Sequence, residues 1–195
     1  MCGFEPAEIA VRASRPGRLG AAWTANCVAI GGAAARFDPL HGADLLGIQL
    51  GLIHLLSRFP VADGFDAERR DYNQAIGGLF DRLRDFQAAH YRLARYSGAF
   101  WDAARSRDIS PELHHKLEIF AARGELSLLE EESFPLDSWQ ALLLGHGLIP
   151  ESWAPAIDRT APETMRGELH RVLGFIKATV LAQPMHEQYL AGQGR

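Results

Sequence analysis

The chain has 195 residues, a net charge of -4 from 20 basic and 24 acidic residues, and 47% hydrophobic residues. That length holds one ordinary domain with a sizeable core and is too short for most two-domain cofactor enzymes. The charge balance excludes the basic stripe that nucleic-acid binding needs, and no apolar run approaches the ~18 residues of a membrane span.

Met1 to Arg18 has no apolar core of a signal peptide and carries Glu5 and Glu8. Only Cys2 and Cys27 are cysteines, which gives neither a disulfide framework nor a zinc spacing. A cytoplasmic setting is expected.

The alternation of Glu8 to Ala13 predicts a short strand, and Pro16-Gly17 a turn. Cys27 to Ile30, closed by Gly31-Gly32, predicts a buried strand ending at a tight turn. From Asp44 onward the pattern is helical. The first helix is apolar nearly all round through Leu45, Leu46, Ile48, Leu52, Ile53, Leu55 and Leu56, which predicts a buried element. Asp66 to Arg95 is the longest periodic segment, with apolar residues spaced three and four apart. Shorter helices are predicted at Ala99 to Arg105, at Pro111 to Ala122 behind a Ser110 cap, and at Asp137 to Leu144 capped by Asp137. A last helix is predicted from Pro162 to Leu181, stopped by Pro184. The two β-like segments, without partners, predict exposed edges and self-association.

The chemistry-bearing residues carry little by themselves. Eight histidines occur, none at H-x-x-x-H spacing, so a metal site is not expected. His90 follows the apolar stripe and is expected as a core histidine. Glu130-Glu131-Glu132 is expected as a solvated face, and the tryptophans as anchors. No nucleophile elbow, dinucleotide fingerprint or P-loop is present.

Trp23-Thr24-Ala25-Asn26-Cys27-Val28-Ala29-Ile30-Gly31 resembles the W-x-x-N-C-V-A-I-G block of flavin-dependent tryptophan-halogenase-like proteins. Phe37-Asp38-Pro39-Leu40-His41-Gly42-Ala43 resembles their L-E-P-L-E-S-T segment. Arg84-Asp85-Phe86 with His90-Tyr91, then Phe100-Trp101, is similar to R-D-F-x-x-x-H-Y and F-W. Gly145 to Pro150 fits G-x-G-x-x-P, and Pro184 to Tyr189 fits the C-terminal M-P-x-H-x-x-F region.

The resemblance implies a mainly α chain: a small β remnant of a flavin monooxygenase-like α/β domain at 1–43, and a helical substrate-side region at 44–195. It implies FAD, reduced by a separate flavin reductase, and halide oxidation with transfer to an aromatic small molecule by way of a lysine. Carried over by position, Gly32 and Leu45 fall at flavin contacts, and the Ala43 and Asp44 amides at the halide. His41 stands where the family has its second Glu and is the candidate catalytic residue. Phe134 and Trp139 are the candidate substrate-binding aromatics.

The family's dinucleotide fingerprint and reactive lysine belong to its N-terminal half, and neither Lys116 nor Lys177 lies in a matching context. The expectation is therefore the C-terminal portion of such an enzyme, inactive by itself. The alternatives are a non-catalytic helical interaction module, or one half of a split enzyme whose N-terminal half is a separate chain.

Overall fold

The computed structural model describes residues 15–62, 64–130 and 132–193. The strand expected at Glu8–Ala13 lies outside them. The chain divides into two compact units, one through Glu151 and one from Ser152.

Among the described residues, the first unit opens with four two-residue strands. Strand β1 (Gly17–Arg18) pairs antiparallel with β4 (Ala35–Arg36). Inside that pair, β2 (Trp23–Thr24) pairs with β3 (Cys27–Val28), Trp23 opposite Val28 and Thr24 opposite Cys27. The expectation of unpartnered segments therefore fails for Cys27–Val28. That strand is also not buried: Cys27 is exposed and Val28 half-buried. Ladders this short do not hold themselves. They are held by α2, whose Asn73 carboxamide accepts from the Trp23 amide at 2.7 Å and donates to its carbonyl at 2.8 Å. Trp23 is buried at the same place, between Phe65 and Tyr72.

Helix α1 (Ala43–Ser57) does not bury its leucines. Its packed face is Ala43, Gly47 and Gly51, recurring every four residues. A Cβ on Gly47 would meet Phe37 and Phe80 at 3.6 Å, and the Tyr72 hydroxyl donates to the Gly51 carbonyl at 3.4 Å. Close approach of backbone to ring seats the helix, with half-buried Leu46, Leu50 and Leu55 packed against the same core. Leu45, Leu52, Ile53 and Leu56 are left exposed. The all-round apolar pattern misleads here because the small residues and one side of the leucines carry the contact, which leaves the other side open.

Helix α2 (Asp66–Arg92) is the spine. Its stripe of Tyr72, Ile76, Leu79, Phe80 and Leu83 builds one core with Trp23, Ala34 and Ala35. Further along, Phe86 and Ala89 build a second core with Leu113, Phe120, Trp139, Leu142 and Leu143. Those come from α4 (Pro111–Arg123) and α5 (Leu136–Gly145), while α3 (Ala99–Ser106) packs elsewhere on α2.

Ser110 caps α4 as expected, accepting from the Leu113 amide at 3.0 Å and donating to Asp85 of α2 at 2.7 Å. Asp137 does not cap α5. The helix starts one residue earlier behind Pro135, so Asp137 lies in its first turn, where its charge suits the helix dipole. The glycines of Gly145-His146-Gly147 stop the helix: Gly147 takes φ 84, and the Leu148 amide donates to the Leu143 carbonyl at 3.0 Å.

The second unit holds α6 (Pro162–Leu181) and α7 (His186–Gln193). Helix α6 has the expected bounds. Helix α7 was not anticipated, since Pro184 signals only a stop. Trp153 is exposed and donates to Asp158 at 2.9 Å. No helix among the described residues is long and apolar enough to cross a membrane.

Gly31 opens the 3-10 turn Gly31–Ala33 at φ 61, and a Cβ there would lie 3.1 Å from Ile48 of α1. Gly31→Ala is expected to destabilise by about 1–2 kcal/mol. Gly20→Ala, with open space around it, is expected to stay within about 0.5 kcal/mol. Denaturant midpoints of the two variants test this.

Candidate functional site

The loop 37–42 joins β4 to α1 and carries His41. It has no secondary structure of its own, so its polar backbone must be satisfied by other groups. Gln87, 5% exposed, does this. Its carbonyl oxygen accepts from the Asp38 amide at 3.2 Å. Its amide nitrogen donates to the Asp38 carbonyl at 2.8 Å and the Leu40 carbonyl at 3.1 Å. One turn later, the Tyr91 phenol faces the Asp38 carboxylate. Burial, then that carboxylate, raises the phenol's pKa.

So held, His41 lies against Phe86 (5.2 Å), His90 (4.5 Å) and Phe134 (6.0 Å), centroid to centroid. Phe134 stacks on Phe86 at 3.7 Å and 14°. Trp139 meets the Phe86 edge at 4.9 Å, and the Lys116 ammonium sits 4.0 Å over the Trp139 ring. Trp139 is 1% exposed, so its influence on His41 runs through Phe86 and Phe134.

Lys116 is buried and ion-paired to a buried Glu132 side chain. Glu132 is therefore not part of a solvated face; Glu130 is exposed, and Glu131 lies outside the described residues.

The histidines change most from expectation. His90 is half-buried, and both its ring nitrogens face other histidines. Its Nε2 lies 2.7 Å from His41 Nε2, and its Nδ1 lies 3.2 Å from His146 Nε2. Burial first, then the neighbouring His41 and His146, lowers its pKa from 6.5 to about 4. The ring is neutral at neutral pH. No group of metal-ligating residues forms among the described residues. Sequence spacing could not reveal this cluster, because its members come from a loop, α2 and the end of α5.

The remaining candidates gather at the start of α1. Gly42, at φ 63, caps the helix without a side-chain bond, so the first-turn amides are not taken by a cap. The Ala43 amide makes only a 3.3 Å bond to Leu40. Asp44 turns its carboxylate back to accept from the Phe37 amide at 3.3 Å, which keeps its charge engaged within the loop. Leu45 is exposed, and the 3-10 turn that holds Gly32 packs against Ile48 of the same helix. These groups lie together at the start of α1. A cleft of about 760 Å³ borders Asp38, Gln87 and Tyr91 on their way to α3.

The tryptophan halogenase family model matches residues 3–162. Tryptophan 6-halogenase SttH of Streptomyces toxytricini is 28% identical over 189 residues, covering 93% of this chain and 35% of that protein. Tryptophan 7-halogenase RebH of Lentzea aerocolonigenes is 24% identical over 179 residues, covering 84% of this chain and 33% of that protein. Among solved structures, the flavin-dependent halogenase BrvH from Brevundimonas sp. BAL3 superposes with TM-score 0.84 at 32% identity, covering 91% of this chain and 36% of that one. Xcc4156, a flavin-dependent halogenase from Xanthomonas campestris, gives 0.86 at 28% identity, covering 97% and 39%. The chain spans about 35% of the length of its first curated relative. It corresponds to the C-terminal portion of these proteins and is a mainly helical piece of their α/β fold.

Two expectations follow from the geometry. Gln87→Leu leaves three backbone groups of the His41 loop without their partner and is expected to destabilise by about 1–3 kcal/mol. Exposed Gln74→Leu is expected to be near neutral, and chemical denaturation separates the two. For His90, the native ring binds its proton with a pKa of about 4, below the ordinary 6.5. Between these values the unfolded chain binds more protons, so stability falls as pH drops from 6.5 toward 4 and levels off below. The His90→Gln variant is expected to lose less stability across that window, read from unfolding curves at each pH.

Proposed function

The chain belongs to the tryptophan halogenase family, and we propose that it forms the substrate-side part of a flavin-dependent halogenase-like monooxygenase. In this reading residues 1–43 complete the flavin domain and 44–195 make the helical region over the substrate. The observation that carries it is the clamped loop, which presents His41 to an aromatic wall one residue before an uncapped helix start.

Bound reduced FAD, supplied by a separate flavin reductase, provides the oxidising power from oxygen that makes halide electrophilic. Gly32 and Leu45 contact the flavin. The Ala43 and Asp44 amides would hold the halide, the Ala43 amide giving up its 3.3 Å bond to Leu40, since N–H groups at a helix start favour an anion. Phe134, stacked on Phe86, lies along an aromatic substrate, with Trp139 behind. His41 takes up the proton that the substrate's ring carbon releases as halogen replaces hydrogen.

The reactive lysine is not sought in Lys116, whose ammonium is buried against Glu132 and Trp139. It comes with the rest of the family's fold, on a separate or preceding segment. The exposed Leu45, Leu52, Ile53 and Leu56 of α1 provide apolar surface for that partner. The same exposed leucines favour the second reading, a helical interaction module without catalysis. A cytoplasmic setting suits either.

Complementation decides between them. The chain by itself, given reductase, FAD, bromide and indole, is expected to give no brominated product. Co-expressed with the N-terminal two-thirds of a relative, it is expected to give product. His41→Ala is expected to lower that rate by at least about a hundredfold, and His41→Glu, restoring the family residue, to retain it. A stable complex that yields no product with any aromatic tried favours the interaction module.

A further inference from the structure

We propose that His41, His90 and His146 form a proton relay, in which His90 and His146 act as positioning residues that set which nitrogen of His41 carries its proton. The proposal extends the reading of His41 as the substrate-side base, and its geometry stands apart from flavin and halide.

The relay follows from counting protons. A neutral imidazole has one N–H and one lone pair. His90 uses both nitrogens against histidines, Nε2 toward His41 Nε2 and Nδ1 toward His146 Nε2. Only two arrangements satisfy both contacts with all rings neutral. In the first, His146 Nε2–H donates to His90 Nδ1, and His90 Nε2–H donates to His41 Nε2. His41 then carries its proton on Nδ1. In the second, every bond reverses: His41 Nε2–H donates to His90, His90 Nδ1–H donates to His146, and His146 carries its proton on Nδ1. The tautomers of His41 and His146 are therefore opposite and locked together. A proton accepted at His41 Nδ1, whose lone pair is free in the second arrangement, sends the His41 Nε2 proton to His90 Nε2 and the His90 Nδ1 proton to His146 Nε2, and the His146 Nδ1 proton leaves, which converts the second arrangement to the first. No bond other than N–H changes.

The surroundings favour sharing over fixed charge. The groups facing the three rings are Phe86 and Phe134 beside His41, and Arg95 with Tyr96, which line a small cleft of about 310 Å³ with His146. Among the described residues no carboxylate forms an ion pair with any of the three rings, whereas His114 on α4 has Glu118 at 3.2 Å. An imidazolium at His90 would thus lack a counter-charge, while the cleft beside His146 gives the far end an outlet. His41 is exposed and is held in the left-handed region at φ 60, a conformation a non-glycine residue keeps only when its surroundings fix it.

The test uses the whole chain labelled with ¹⁵N-histidine, with long-range proton–nitrogen spectra from pH 3.5 to 9. The expected result is opposite tautomers for His41 and His146 at pH 7.5. In His146→Phe, the His41 tautomer redistributes and its titration midpoint moves by roughly one pH unit. His90→Gln, which cuts the middle of the chain, uncouples both ends and serves if the first variant does not fold. His170→Gln leaves all three signals unchanged. Equal tautomers at the two ends, or a His41 tautomer and midpoint indifferent to both variants, overturns the relay. These spectra need no flavin, so loss of halogenation with coupling intact rejects the substrate-side reading and leaves the relay standing.

Discussion

Two carboxamides on α2 hold the irregular part of this molecule together. A primary amide offers one acceptor and two donors, enough to replace a neighbouring peptide group. Asn73 pairs with both backbone groups of Trp23, and Gln87 spans the backbone from Asp38 to Leu40. The strands are two residues long, too short to fix themselves. With α2 acting as their missing neighbour, the backbone polar groups are satisfied at the side chains' own positions. Both segments that resemble the halogenase blocks are therefore referenced to one rigid helix.

The spacing of the Arg84–Tyr91 segment gains a mechanical meaning from this. Phe86 and His90 are four apart and meet His41; Gln87 and Tyr91 are four apart and meet Asp38. Residues four apart stack along one stripe of a helix, and adjacent positions open a neighbouring stripe. One stripe thus grips the loop backbone and carboxylate, and the other faces its histidine. Asp85 points elsewhere, to Ser110 at the start of α4, so the same two turns also tie in the second core. The pattern R-D-F-x-x-x-H-Y specifies one loop position from three directions.

Helix existence was legible in the sequence wherever apolar residues recur at helical spacing over several turns, as in α2 and α6. The uncapped start of α5 was not, because an acid in the first turn and an acid at the cap look alike. The burial of α1 is not legible because glycine leaves no hydrophobic signal, yet Gly47 and Gly51 bring the helix backbone against α2's Phe80 and Tyr72. For the site, positional resemblance found His41 and the helix start beyond it. It missed Gln87, an unremarkable residue inside the motif, and it missed His146, which reads as part of a helix stop. Glu132 is illegible for a related reason: a run of three acids has the pattern of a solvated face, and the buried Lys116 that pairs with one of them lies on a distant segment. Contacts between distant segments leave no periodic trace in the chain.

The backbone at His41 shows what those contacts achieve. His41 and Gly42 adopt positive φ in succession, 60° and 63°, immediately before α1. Gly42 does so freely, but a non-glycine residue there costs about 1–2 kcal/mol. A free loop would relax by letting His41 return to an extended conformation and swing its ring away from Phe86 and Phe134. The Gln87 bonds fix Asp38 and Leu40 before it, and the α1 packing of Ala43 fixes the residue after Gly42, so the relaxation has no path that keeps those contacts. The strain is retained by structure on both sides. Its result is a histidine side chain aimed at an aromatic wall and within 2.7 Å of a second histidine, a placement that an unstrained loop of the same length would not maintain.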